Sequence, residues 1–259
     1  MIDFNLLKAE LASTAPDYQF YGFDTIDSTN SFLVGQSKTL LKPAICIAHR
    51  QTDGYGQRDR HWVSNAESLT FSMLSRIQVP LHQLDGFSQV IGLTLASVLS
   101  EFSSMPLTIK WPNDIYSEKG KVAGLLIESV KYDDHSCWLV VGVGINFSQV
   151  AVPKFKMTNP TDYVLFNAEG RGYSSEFLCT LVSRFSSVCE QFSAKYFADV
   201  RHQYYKYDYF NFDQEVIVYD TEHEFIGLYK GLSQLGEILI EVEGCMRVYR
   251  TGTVSIRAI

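Results

Sequence analysis

Three groups of residues in this chain have types and spacings suited to chemistry. In Thr108–Glu128, TIKWPNDIYSEKGKVAGLLIE, the residues Lys110, Asp114 and Lys121 fall where apolar runs meet their connections, beside Gly124. Two ammonium groups and a carboxylate near an apolar sheet can bind a polyanion and the metal that accompanies it, and a glycine there admits close approach to the backbone. The competing reading is a solvated turn with surface lysines, because Pro-Asn-Asp clusters mark turns. The second group is Arg50–Trp62, RQTDGYGQRDRHW, whose two glycines, three arginines and tryptophan suit a mobile lid with charge and an aromatic face. A solvated loop anchored by Trp62 fits the same residues, and a lone Gly-x-Gly is a weak phosphate-loop signal. The third is Ser28-Thr29, whose hydroxyls beside backbone N–H groups can hold a small polar ligand or simply cap a helix.

These groups need elements to position them. Phe4, Leu7 and Leu11 repeat at helical spacing behind the capping residue Asp3. Tyr18–Ile26 reads as a strand, and Phe32-Leu33 open a helix capped by Ser28. Pro43–His49 is a compact apolar strand leading into the lid, and Leu69–Arg76 alternates as a half-buried strand should. From Leu84, the positions Phe87, Val90, Ile91, Leu95, Val98 and Phe102 mark one face of a long helix. The central segment reads as strand, turn, strand, with Pro112-Asn113-Asp114 as the turn and Val122–Val130 returning. Trp138–Ile145 is a continuous apolar strand ending at Asn146. Its Gly142 and Gly144 face one side and leave it bare, for a packed helix or for a ligand ring. Residues 149–173 read as a surface loop. Helical period returns from Phe177 through Tyr196, and a short helix follows around Val200–Tyr207. Beyond Phe212 the pattern changes to short β runs at 215–219, 225–231, 238–242, 246–249 and 253–257 with turns between them. They predict a small barrel of the Src-homology-3 (SH3) kind and a boundary near Asn211, giving domains 1–211 and 212–259.

Composition narrows the function class. The 259 residues are 46% hydrophobic and 20% charged, as in an ordinary globular protein, and the net charge of −7 argues against a surface built to hold nucleic acid. No apolar run is long enough to span a bilayer, and MIDFNLLKAEL is no signal peptide. The five cysteines (Cys46, Cys137, Cys179, Cys189, Cys245) are scattered without a Cys-x-x-Cys pair, which predicts free, mostly buried thiols and a cytoplasmic location.

Several motifs, in this order, resemble those of the biotin protein ligases, in the short form without an N-terminal DNA-binding domain. They are Asp27-Ser28-Thr29-Asn30, Gln51-Thr52 with the glycine-containing loop, Lys110-Trp111-Pro112-Asn113-Asp114, Lys121–Glu128, Val141–Asn146 and Gly252–Arg257. The lysine-to-aspartate motif followed by Lys-x-x-Gly is the specific part. The resemblance implies an α+β fold with a mixed β-sheet packed against helices, like a class II aminoacyl-tRNA synthetase, and a C-terminal SH3-like barrel. It implies that ATP, with Mg²⁺, activates biotin as biotinyl-5'-adenylate, and that a lysine of the biotin carboxyl carrier protein of acetyl-CoA carboxylase then takes the biotin.

By the same resemblance Lys110, Asp114 and Arg58 are catalytic. Ser28, Thr29, Asn30, Gln51, Tyr55, Gly56, Gln57, Lys121, Gly124, Gly142 and Gly144 bind biotin. Arg58, Arg60, Trp62, Asn113, Asn146 and Arg257 bind the nucleotide, with Trp62 on the adenine. No metal ligand is assigned. Asp114 has three roles open to it: orienting Lys110, helping to hold Mg²⁺, or assisting deprotonation of the acceptor lysine. Neither nucleic acid nor membrane is expected as a partner, and a homodimer is an open option. The loop departs from the family's Gly-Arg-Gly-Arg-Arg-Gly-Arg at Tyr55, Gln57 and Asp59, which bears on how tightly the adenylate is held, and Thr253 stands where glutamate is common. A lipoate or octanoate ligase of the same fold and a non-catalytic biotin sensor are the competing readings.

Overall fold

The computed structural model describes residues 3–40, 42–64, 68–147, 163–164, 174–220 and 223–259. The expected loop at 149–173 lies outside the described residues except for 163 and 164, as do Thr221 and Glu222 of an expected turn. A seven-stranded mixed sheet forms the larger part. Its strands are β1 (Gln19–Ile26), β2 (Ala44–Gln51), β3 (Ser68–Ile77), β4 (Thr108–Lys110), β5 (Asp114–Tyr116), β6 (Lys121–Tyr132) and β7 (Cys137–Asn146). The order is β1-β2-β3-β7-β6-β5-β4, with β1 and β2 parallel and the rest antiparallel.

Helices α1 (Phe4–Thr14), α3 (Phe87–Phe102) and α4 (Ser175–Gln191) cover one face, and α2 (Thr29–Gln36) covers part of the other. Each begins for a local reason or a packing one. Asp3 accepts hydrogen bonds from the first-turn N–H groups of Asn5 and Leu6, and Ser28 caps α2 by accepting from Ser31. The run of α3 buries Phe87, Val90, Ile91, Leu95, Val98 and Leu99 against strand residues Ile109 and Leu125, among others. Covering both faces changes the expectation for β3. It is buried along nearly its whole length, not half-buried, because its apolar positions Leu69, Phe71 and Met73 meet the large core while Thr70, Ser72 and Leu74 turn toward the α2 side.

Three other boundaries differ from the sequence reading. The central segment is a three-strand meander rather than a hairpin, since Asp114 begins β5 and a second turn precedes β6. Strand β2 runs on through Arg50 and Gln51, so the lid starts later. Helix α4 stops at Gln191 and α5 (Tyr196–Tyr204) begins separately, so the helical period does not continue through Tyr196. The C-terminal strands β8 (Glu215–Tyr219), β9 (Glu224–Leu232), β10 (Ile238–Val242), β11 (Cys245–Tyr249) and β12 (Ser255–Ala258) form an antiparallel sheet of order β11-β10-β9-β8-β12, consistent with an SH3-like barrel. The two sheets share one hydrophobic core, and Trp111 donates its indole N–H to Gly236 O across the seam at 2.9 Å. All five cysteines are free thiols, four of them buried and Cys245 exposed.

Candidate active site

The strand register aligns the site. Directly opposed residues of neighbouring strands share a face, so Asp114, Gly124, Gly144 and Thr70 form one row across four strands. Leu126, Gly142 and Ser72 form the next row, followed by Glu128, Val140 and Leu74. The first row, with Leu126 and Gly142 of the second, is the floor of a hollow under the N-terminus of α2. The floor is not bare. A side chain on Gly142 would collide with the Asn30 amide, one on Gly144 with the Trp62 ring, and one on Gly124 would lie 2.8 Å from Lys121 Nζ. The glycines exist so that these three groups can lie flat against the sheet. At Gly142 and Gly144 the packing reading holds. What packs there is Asn30 of α2 and the tryptophan of the loop, and both still line the cavity.

Above the floor runs a chain of hydrogen bonds that ends on a carboxylate. Thr29 donates its backbone N–H to Gln51 Oε1 at 2.7 Å, and its hydroxyl lies 2.8 Å from Ser72 Oγ. Ser72 donates to Asn30 Oδ1, and Asn30 Nδ2 donates to Glu128 Oε2 at 2.7 Å. Tyr55 donates its phenol to the same Glu128 oxygen at 2.9 Å. Ser28, Gln57 and Gly56 also line this hollow.

The charged side adjoins it. Lys110 and Asp114 are cross-strand partners at the turn that joins β4 to β5, and Asp114 Oδ1 lies 2.7 Å from Lys121 Nζ, both half-buried. The direct ion pair of Asp114 is with Lys121, a contact outside the three roles expected for it. Lys110 Nζ lies over the rings of Tyr116 and Tyr209, 5.1 and 5.3 Å from their centroids. Burial lowers its pKa from the ordinary lysine value; Asp114 opposes that shift, and Arg257 and Lys121 add to it. Arg58 donates to Gly252 O at 2.8 Å, which ties the loop to the C-terminal sheet's last connection. Arg257 lies 4.8 Å over the Tyr219 ring, and Lys110, Arg58, Arg60 and Arg257 line one cleft. Gln57, Arg60, Asn113 and Asp114 line both this cleft and the neutral hollow, so the two are continuous.

Some expected ligands have other first duties. The Asn113 amide donates to Leu125 O, and Leu125 N donates back to Asn113 O at 3.1 Å, which clamps the turn onto β6. Asn146 is buried at the end of β7 and lines neither cavity. Trp62 stands in the hollow over Gly144, with Lys121 Nζ 5.6 Å from its ring centroid, rather than in the cationic cleft. Sequence reasoning missed Ser72, Glu128, Tyr116 and Tyr209. The signal for Ser72 was present in the polar positions of LTFSMLSR, which face the network rather than solvent.

Among the described residues no group of three or more His, Cys, Asp or Glu is placed to hold a metal. Asp114 is the one carboxylate lining either cavity among the described residues, and it faces Lys121. The described residues therefore offer no ready-made metal cage at the site.

Comparison with known proteins agrees with this geometry. Residues 22–146 match the model of the biotin/lipoate A/B protein ligase family. The chain is 29% identical over 236 residues to the bifunctional ligase/repressor BirA of Escherichia coli, covering 90% of this chain and 72% of that protein. It is 27% identical to the biotin–[acetyl-CoA-carboxylase] ligase of Paracoccus denitrificans, covering 83% and 90% of the two chains. The solved biotin protein ligase from Aquifex aeolicus, in complex with biotin and ATP, superposes with a TM-score of 0.73 at 28% identity over 93% of this chain and 99% of that one. Residues 22–146 are thus similar to the biotin/lipoate A/B protein ligase family, and the likeness along nearly the whole length is to biotin protein ligases.

Proposed function

We propose that the chain activates the carboxylate of biotin with ATP as biotinyl-5'-adenylate, releasing pyrophosphate, and passes the biotin to a lysine of a biotin carboxyl carrier protein. The observation that carries this reading is the continuity of a neutral, hydroxyl- and amide-lined hollow with a cationic cleft. Biotin's ureido ring is small, neutral and rich in hydrogen-bonding groups, which suits Ser28, Thr29 and Gln51. Its carboxylate end would lie toward the shared residues, where Lys121 and Lys110 meet the nucleotide.

The cleft supplies what the first step needs. Joining a carboxylate to a triphosphate brings negative charges together, and fixed cations offset them best where water is excluded. Lys110, Lys121, Arg58, Arg60 and Arg257 are five cations against the single carboxylate of Asp114, a local balance of 5 − 1 = +4 in a chain whose net charge is −7. In the second step the acceptor amine attacks the mixed anhydride, the carbonyl–phosphate bond breaks, and AMP leaves with the electron pair. Residues 1–211 would carry this chemistry, and 212–259 would contribute Arg257 and the Gly252 carbonyl. The same reading places the protein in the cytoplasm, alone or as a homodimer; among the described residues no helix is long and apolar enough to cross a membrane.

Biotin-dependent release of pyrophosphate from ATP, followed by transfer to a carrier domain, tests the proposal. Binding of biotin without pyrophosphate release would make the chain a sensor. Preference for lipoate or octanoate over biotin in competition would move it to the other branch of the family.

A further inference from the structure

Two parts of the site converge on one oxygen. Glu128 Oε2 accepts from Asn30 Nδ2 at 2.7 Å and from the Tyr55 hydroxyl at 2.9 Å. Asn30 belongs to α2 and forms the wall over Gly142, whereas Tyr55 belongs to the loop that carries Gln57, Arg58 and Arg60. We propose that Glu128 is a positioning residue that latches this loop to the wall of the hollow through Tyr55. The proposal deepens the reading of the site as a biotin-activating one.

The polarity of the hydrogen bonds requires an acceptor at this point. The Thr29 hydroxyl donates to Gln51 Oε1 at 2.9 Å, and the Ser72 hydroxyl donates to Asn30 Oδ1, so the Asn30 amide turns its donor Nδ2 toward Glu128. An ionised carboxylate only accepts, so it can take that amide's hydrogen bond and the one from Tyr55 as well. Fixing both partners of the Asn30 amide also fixes which way the amide faces. The Tyr55 backbone is bridged to His61, Gly56 N donates to Arg60 O at 2.7 Å, and Trp62 N donates to Gly54 O at 2.8 Å. The loop is thus closed on itself, and holding the Tyr55 ring holds the arginines at the mouth of the cleft.

The test follows amide hydrogen exchange at Gly56 and Trp62 in the ligand-free chain, together with the KM for biotin. Tyr55→Phe should speed loop exchange by roughly tenfold or more, the loss expected for one hydrogen bond to a carboxylate. Glu128→Ala should show the same loop effect and also raise biotin KM, because Asn30 loses its acceptor. Glu128→Gln keeps an acceptor oxygen, should fall between, and serves if the alanine variant does not fold. Unchanged loop exchange in a folded Tyr55→Phe variant would overturn the latch. Exchange in the free chain requires no turnover. A loop that responds in a chain releasing no pyrophosphate would therefore support the latch while removing the ligase reading.

Discussion

In the hollow under α2, polar side chains are joined to one another: Gln51 to Thr29, Thr29 to Ser72, Ser72 to Asn30, and Asn30 and Tyr55 to Glu128. In the adjoining cleft the cations have mostly aromatic or carbonyl neighbours: Lys110 over Tyr116 and Tyr209, Arg257 over Tyr219, and Arg58 on Gly252 O. Asp114, which lines both cavities, forms its ion pair with Lys121 on the hollow side. The hollow is organised by folding itself and discriminates by hydrogen-bond geometry. Among the residues lining the cleft, four cations face the single carboxylate of Asp114. Damage to the first should therefore appear in ligand affinity, and damage to the second in the rate of the charge-building step.

The sharpest way to separate them is Lys110→Ala. It should lower the rate of biotin-dependent pyrophosphate release by about a hundredfold or more, with biotin affinity close to that of the parent. Near-normal release would remove Lys110 from the charge-stabilising side of the comparison.

A second break lies at the seam that supports Lys110. Residues 207–209 run beside β4, with Ile109 bridged to Asp208 and Tyr209 N donating to Ile109 O at 3.1 Å. Burial raises the Asp208 pKa to about 6, against opposing hydrogen bonds from Tyr229 and the Phe210 and Tyr209 amides. Because the folded value lies above the ordinary 3.8, the stability linked to the protonated form is complete below that pH and is lost as pH rises through about 6. Asp208→Asn keeps an acceptor for the Tyr229 hydroxyl and removes the charge. Its gain over the parent should grow between about pH 4 and pH 6 and level off near pH 7 at about 3 kcal/mol. Urea midpoints of both proteins across that range check it; a pH-independent difference would show that Asp208 does not titrate in the fold.

On the neutral side, Thr29→Val keeps the shape while removing the hydroxyl between Gln51 and Ser72. Biotin KM should rise by roughly tenfold, the cost of unpaired buried polar groups, with kcat nearly unchanged. A fall in kcat with constant KM would place Thr29 with the cations instead.

The smallest effect is expected at Gln57, which lines both regions. Replacing its neutral amide by a guanidinium should strengthen a phosphate contact by on the order of 1 kcal/mol, about fivefold in retention of the adenylate. Gln57→Arg should therefore label a bystander protein less while modifying the carrier at least as well. Equal bystander labelling would mean that Gln57 does not meet the phosphate.

The helices and most strands were legible because their causes are local. The caps at Asp3 and Ser28, the apolar period of Phe87–Phe102 and the alternation of Glu215–Tyr219 act within a few residues. The extra strand β5 was not legible, because three residues carry too little pattern against the turn chemistry of Pro112-Asn113. The cationic residues were picked out by type and motif, and the structure brings Lys110, Arg58, Arg60 and Arg257 to one cleft.

By itself the sequence determined the order of elements, the free thiols, the family motifs and the residue types at the site, since each depends on neighbours along the chain. Only the tertiary structure decided what those residues touch. The register placed Gly124, Gly142 and Gly144 in adjoining rows, and the fold then set Lys121, Asn30 and Trp62 on them. Likewise Asp114 meets Lys121, and Tyr55 meets Glu128 across 73 positions of sequence. Side-chain pairing at such separations follows from strand register and helix docking, and no local pattern of residues encodes it.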